Sequence, residues 1–334
     1  MMTRVVAFGG GHGLGASLRA LRLLRRPLDL DITAVVTVGD DGGSSGRLRA
    51  ERGALPPGDL RQAVAALADP DDRVTQQTAE LLQHRFGGDD ALAGHTVGNI
   101  MLCGLMELAG DPVRALNRAA AMVGAAGRVL PMSRHPVGVE ADVRGADPSR
   151  PDAVTVVRGQ HEVAITTGTV ERVRIRPAER REGAARRGYA VRPGPVVACA
   201  EAVAAVRAAD WLIFGPGSWY TSVIPHLLVP ALAGAIVDST AKRLVTLNLA
   251  AELETTGLSL PDHLAALTRY LPALRVDVVL ADGKAVGDPE PVHRAAESLG
   301  ARLLLAPVAV PDGGPRHDPA ALAAALEPLL GLGR

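Results

Sequence analysis

The chain is predicted to be an α/β protein: a mostly parallel sheet between two helical layers, with a small β-rich insertion at its edge. Three observations carry that prediction. Short runs rich in Val, Ile and Leu alternate with stretches of helical period at both ends of the 334-residue chain. The first run ends in Gly9-Gly10-Gly11-His12-Gly13, a glycine turn of the kind that joins a buried strand to a helix. Between about 128 and 199 the pattern changes to short alternating segments broken by Gly and Pro, the mark of strands and hairpins.

In order, residues 4–8 read as a buried strand and 14–24 as a helix with apolar residues at 14, 18, 21 and 24. A second strand spans 32–38 and runs into an acidic, glycine-rich loop. Helices follow at 59–68, 74–84, 97–109 and 112–124, the last opened by Asp111-Pro112, a cap and a first-turn proline. Strands are expected at 128–132, 137–143, 153–158, 162–167 and 170–176. The Arg/Gly/Pro-rich stretch 176–195 reads as an exposed excursion whose charge is solvated. Alternation then resumes with helix 200–208, strand 210–214, helix 222–236 and strand 243–248. Helix 261–270, strand 275–281, helix 290–299, strand 302–306 and helix 319–329 complete the pattern. The expected division is 1–127 and 200–334 as two halves of one α/β domain, with 128–199 inserted between them.

Composition excludes several classes. Lys+Arg and Asp+Glu are equal at 36 each, so no global field recruits nucleic acid or anionic membrane. Aromatic residues are 2% of the chain, too few for base-stacking platforms. Cys103 and Cys199 have neither disulfide-framework nor zinc spacing, and no apolar run reaches membrane-spanning length. The expected location is the cytoplasm.

The chemistry concentrates at strand ends. Gly9, Gly10, Gly11, His12 and Gly13 precede a helix whose N–H groups and dipole favour an anion, and Gly11 to Ala16 fits a relaxed G-x-G-x-x-A dinucleotide pattern. His12 is either a ligand contact or a plain cap. After the second strand, Asp40 and Asp41 can hold sugar hydroxyls or a metal ion, while Gly42, Gly43, Ser44 and Ser45 offer N–H and hydroxyl groups to phosphate. Gly58-Asp59-Leu60-Arg61 puts an acid at a helix cap and Arg61 in a first turn, against the dipole, where it can face an anion. Asn99, at the start of the 97–109 helix, either caps it or orients a base or sugar. Gly215, Pro216, Gly217 and Ser218 repeat the glycine turn at another strand end, so two anion cradles can face one crevice. Asn248 ends the next strand, and Arg316 precedes the last helix beside Asp318-Pro319, a cap and N1 pair. No G-x-x-x-x-G-K-[ST], HExxH or G-x-S-x-G string occurs, and no base or nucleophile accompanies the aspartates. Binding is better supported than catalysis, and no catalytic residue is assigned.

These residues carry a family resemblance. Gly9 to Gly13, VVTVGDDGGSSGRLR at 35–49, Gly58 to Arg61, His95 to Asn99, GPGSWYTS at 215–222 with LLVP at 227–230, and Arg316 to Pro319 resemble the YvcK family, in its actinobacterial form. This is the gluconeogenesis-factor group of UDP-N-acetylglucosamine-binding proteins within the CofD (2-phospho-L-lactate transferase) superfamily. The resemblance implies a Rossmann-like, CofD-like three-layer fold whose first half binds nucleotide. It implies UDP-N-acetylglucosamine as ligand with no cofactor required. It also implies roles in gluconeogenic growth, cell shape and peptidoglycan precursor supply, without established catalysis. A homodimer, regulatory protein partners and a Ser/Thr kinase are the partners it suggests, and Arg316 matches the family's ligand-sensing arginine. The chain departs from the family at Gly39 and at 252–256, where ELETT replaces a Pro-Gly turn and alters one wall of the pocket. The alternative is a CofD-like transferase in which Asp40 and Asp41 place Mg²⁺ on a diphosphate leaving group.

Overall fold

The computed structural model describes residues 2–178, 194–250, 253–255 and 257–331. Most of the 176–195 excursion lies outside them. The main sheet contains β1 (Thr3–Gly9), β2 (Leu30–Val36), β3 (Gly127–Pro131), β7 (Trp211–Phe214), β8 (Lys242–Thr246), β9 (Val278–Ala281) and β10 (Arg302–Leu305). The second sheet contains β4 (Val137–Arg144), β5 (Val154–Arg158) and β6 (Thr169–Pro177). The helices of the first half are α1 (Gly11–Leu28), α2 (Gly43–Arg52), α3 (Pro57–Ala66), α4 (Arg73–Gln83), α5 (Val97–Ala109) and α6 (Pro112–Met122). A short α7 (Gln160–Ala164) joins β5 to β6. The second half adds α8 (Ala200–Ala208), α9 (Ile224–Leu227), α10 (Pro230–Asp238), α11 (Leu260–Tyr270), α12 (Gly283–Val286), α13 (Glu290–Ser298) and α14 (Pro319–Gly331).

The seven strands are ordered β10-β9-β8-β7-β1-β2-β3, and every neighbouring pair is parallel. The chain starts in the middle of the sheet, winds outward to β3, then returns to β7 and winds outward the other way. Right-handed crossovers in opposite directions put helices on opposite faces. Accordingly α1 packs with α3 and α14, while α8 packs with α10 and α11 with α13. The α/β class and the parallel sheet are as expected. β1 is buried on both faces because it is central, so it carries no alternation.

The order reverses between β1 and β7, and their carboxyl ends define the crevice where such sheets bind ligands. Register fixes its floor: Phe8 lies beside Val35 on one side and Phe214 on the other. The Phe8 and Phe214 rings stack at 4.8 Å, and the buried His226 meets Phe8 edge-on. Burial drives the His226 pKa down to about 4, so this histidine is a neutral packing group.

Several elements differ from the sequence reading. The strand near 128–132 is the edge of the main sheet, parallel to β2, so only β4, β5 and β6 form the separate antiparallel sheet. The strand expected at 162–167 is instead α7, in which Val163 alone is fully buried. Extended Gly10 caps α1 and its carbonyl accepts from Leu14 N, so helix begins at Gly11, inside the presumed loop. Helix also begins at Gly43 within the acidic loop. The helix expected at 222–236 is a π-helical turn (Trp219–Val223), α9 and α10, with prolines 225 and 230 in the first turns of α9 and α10. Among the described residues no single helix is long and apolar enough to cross a membrane.

Candidate functional site

The two glycine turns meet. A Cβ on Gly13 would lie 2.6 Å from the Pro216 carbonyl carbon and 2.7 Å from Gly217 Cα, so only glycine lets the two backbones approach. Ser17 Oγ, one turn further along α1, donates to the Gly215 carbonyl at 3.0 Å. Gly215 itself has φ +74, a left-handed conformation that suits glycine. Asn248 brackets Gly217: its Oδ1 accepts from Gly217 N at 2.9 Å and its Nδ2 donates to the Gly217 carbonyl at 3.0 Å. Asn248 therefore acts through the turn it holds. Asn248→Ala is expected to destabilise the protein by about 1 kcal/mol, by leaving two half-buried backbone groups of Gly217 unpaired. Denaturant unfolding of the variant checks this.

Beside the joined turns lies a groove of about 750 Å³ lined by His12, Gly13, Arg19, Pro216, Gly217, Asn248, Arg316 and His317, among others. Exposed His12 sits in the first turn of α1, whose leading N–H groups have no intrahelical partners. Arg19 is half-buried, which lowers its pKa, and it has no ion pair among the described residues. Arg316 is at the rim, paired with exposed Asp312 at 2.7 Å. Asp318 caps α14 by accepting from Ala321 N. Burial lowers the His317 pKa, so it enters the groove as a neutral ring.

A carboxylate cluster occupies the other side of the α1 N-terminus. Asp40 Oδ1 accepts from Gly42 N at 3.0 Å, and Arg49 Nη1 donates to the carbonyls of Gly39 and Asp40. Asp59 fills the space a Gly10 side chain would need, with its Cγ 3.2 Å from the Cβ position. Asp59 lies inside the first turn of α3, since Pro56 is the cap, whereas the sequence reading made Asp59 the cap itself. Burial raises its pKa to about 7, and Asp40 pushes in the same direction; the Gly11 backbone and Arg61 pull the other way. Asp41 is engaged elsewhere: its Oδ1 accepts from His161 N at 3.0 Å, fastening the loop to α7. The pair the fold assembles is thus Asp40 with Asp59.

The serines tie the same loop to two helices. Ser44 Oγ accepts from Asn99 Nδ2 at 2.9 Å and lies 2.9 Å from His95 Nδ1. Burial, then Arg47, lowers the His95 pKa, so the ring that meets Ser44 is neutral. Ser45 Oγ accepts from Gly58 N at 3.0 Å. Thr96, not Asn99, caps α5, and Asn99 Oδ1 is buried with no hydrogen-bond partner among the described residues. Buried Arg61 donates to Gln83, and burial lowers its pKa to about 10. It supports α3 and lies away from the 750 Å³ groove.

Sequence reasoning passed over Arg19, Arg49, Asp59 as a site group, and His317. Arg19 left one trace: Gly15 and Ala16 precede it, and a Cβ on Gly15 would come within 3.3 Å of its guanidinium. In the altered 252–256 segment, buried Glu254 accepts from Tyr220 N at 2.9 Å, so this chain supports its second turn with a carboxylate.

Comparison with known proteins agrees with this fold. The family model described as 2-phospho-L-lactate transferase CofD matches residues 5–301. A putative gluconeogenesis factor of Mycobacterium tuberculosis is 46% identical over 331 residues, covering 98% of this chain and 90% of that protein. The gluconeogenesis factor of Bacillus subtilis is 33% identical over 300 residues, covering 90% and 84%. A crystal structure of a UPF0052 family member from Bacillus halodurans superposes with a TM-score of 0.80 at 30% identity, covering 98% of this chain and 99% of that one. With both glycine turns inside the matched region, the chain belongs to the CofD family.

Proposed function

We propose that this protein is a non-catalytic receptor for a nucleotide-diphosphate sugar, UDP-N-acetylglucosamine, and that its occupancy regulates carbon flux into cell-wall precursors during gluconeogenic growth. The observation that carries this reading is the contact of the two glycine turns at the β1/β7 switch point, beside a groove containing Arg19 and Arg316. Backbone N–H groups at the α1 start and two guanidinium groups suit a diphosphate. Asp40 suits sugar hydroxyls. Its relatives named as gluconeogenesis factors support the physiological part of the reading. A cytoplasmic location, a homodimer and a Ser/Thr kinase partner fit it.

The test is a titration with UDP-N-acetylglucosamine, UDP-glucose, NAD and UMP, read by melting temperature and calorimetry. UDP-N-acetylglucosamine is expected to raise Tm in a concentration-dependent way, and UMP to leave it unchanged. Arg19→Ala and Arg316→Ala should each weaken binding about tenfold, the loss of one charge-assisted contact. No shift and no heat at saturating ligand would refute the proposal.

The second reading is a Mg²⁺-dependent CofD-like transferase, favoured by the family match and by the Asp40–Asp59 pair. Burial first, and then the neighbouring Asp40, raises the Asp59 pKa, and a divalent cation would favour the ionised pair against both. Those residues would hold the ion, and it would supply charge neutralisation on a diphosphate. Metal-dependent turnover of a nucleotide-activated donor, lost in Asp40→Asn, would establish this reading over the first.

A further inference from the structure

A second cleft lies apart from the glycine turns, between β6 and the end of α11. It has a volume of about 730 Å³ and shares no lining residue with the groove described above. Its wall is the outer face of the small sheet, where register places Asp142 of β4 beside Arg172 of β6. The charges there do not balance. Asp142 is taken by Arg174 in a two-pronged pair, one arm at 2.6 Å, and Glu171 accepts from Arg144 Nε at 2.7 Å. Both carboxylates of the cleft are thereby neutralised by other arginines. Arg172 and Arg269 remain, exposed and without an ion-pair or hydrogen-bond partner among the described residues.

Tyr270 adds a directional donor. Its Oη accepts from Val173 N at 2.7 Å, which fixes the phenol against the open edge of β6. Its own proton has no acceptor among the described residues. Burial raises its pKa, against the opposing pull of the Val173 N–H and of Arg269, Arg172 and Arg174, so the phenol stays protonated. Neutral Tyr270 thus stands among three guanidinium groups with a hydrogen to give.

We propose that this cleft is a second binding site, for a small phosphorylated metabolite, with Arg172 and Arg269 holding the phosphoryl group and the Tyr270 hydroxyl donating to it. A phosphomonoester matches two uncompensated cations in charge, and the volume suits a small metabolite. The contact of Tyr270 with β6 ties the occupant to the edge of the small sheet, whose α7 is fastened to the Asp40–Asp41 loop.

The test is calorimetric titration of the whole chain with inorganic phosphate and with glucose 6-phosphate. Saturable binding is expected, weakened about tenfold by Arg172→Gln or Arg269→Gln and several-fold by Tyr270→Phe. Both arginines are exposed, so their variants should melt as the parent does and bind UDP-N-acetylglucosamine as the parent does. Tighter binding of glucose 6-phosphate than of phosphate supports the metabolite. Equal binding would reduce the site to one for the bare ion and overturn the ligand assignment. Absence of saturable heat with either probe, or heat that is undiminished in the Arg172→Gln/Arg269→Gln double variant, would overturn the site itself.

Discussion

Gly13→Ala is expected to destabilise the protein by about 3 kcal/mol and to abolish ligand binding at the glycine turns, although the residue lies in a helix. Helix propensity alone gives the opposite sign, since alanine in place of a helical glycine is favourable by about 1 kcal/mol. The decisive fact is what surrounds the new methyl group. It would meet the Pro216 carbonyl carbon at 2.6 Å and Gly217 Cα at 2.7 Å, and these are backbone atoms that cannot rotate away. The turns must separate, which pulls apart the Ser17 hydrogen bond that joins them. Gly104 supplies the control: it is also helical, and a Cβ there meets nothing within 4 Å. Gly104→Ala should therefore stabilise by roughly 0.5–1 kcal/mol. Denaturant unfolding of the two variants should move in opposite directions. If both stabilise, the turns are not in contact.

Asp59→Asn is expected to make the protein more stable than the parent above neutral pH and not below pH 5. Burial, with Asp40 beside it, pushes the Asp59 carboxyl up to about 7 in the folded state from its ordinary value of 3.8. Between those values the folded state binds more protons than the unfolded state. Stability therefore falls as pH rises: the favourable contribution is fully present below about 4 and is lost as pH passes 7. Asparagine cannot ionise, and its Oδ1 can still accept from the Gly11 backbone, so the slope should flatten. The gain at pH 8 should be of the order of a few kcal/mol. Unfolding free energies of parent and variant at pH 5 and pH 8 test this. Equal slopes would mean that Asp59 ionises freely and that Asp40 is not its neighbour. Under the transferase reading, added Mg²⁺ should reduce the difference between the two at pH 8 by favouring the ionised pair.

Much of the fold was legible because its signals are local. The helix at 97–109 is marked by a run of apolar residues after Thr96, and α5 has those bounds. The 200–208 helix likewise coincides with α8. Where signals were short or mixed, packing decided. The 162–167 stretch has strand-like residues in Val163, Ile165 and Thr166, but its first half turns as helix where Asp41 accepts from His161 N. Gly43, at φ +46, opens α2 out of a loop whose glycines and serines alone suggest no helix.

The sequence by itself determined the α/β class, the parallel core strands and the two glycine turns, because strand burial and tight turns leave periodicity and glycine in the local text. It also marked Asp40, Ser44, Asn99 and Asn248 as residues with work to do. The tertiary structure alone decided what that work is. It set the two turns against each other across some 200 positions of chain, gave Asp59 the space beside Gly10, and sent Asp41 to α7. Charge state and partnership depend on burial and on neighbours distant in sequence. A one-dimensional pattern carries neither.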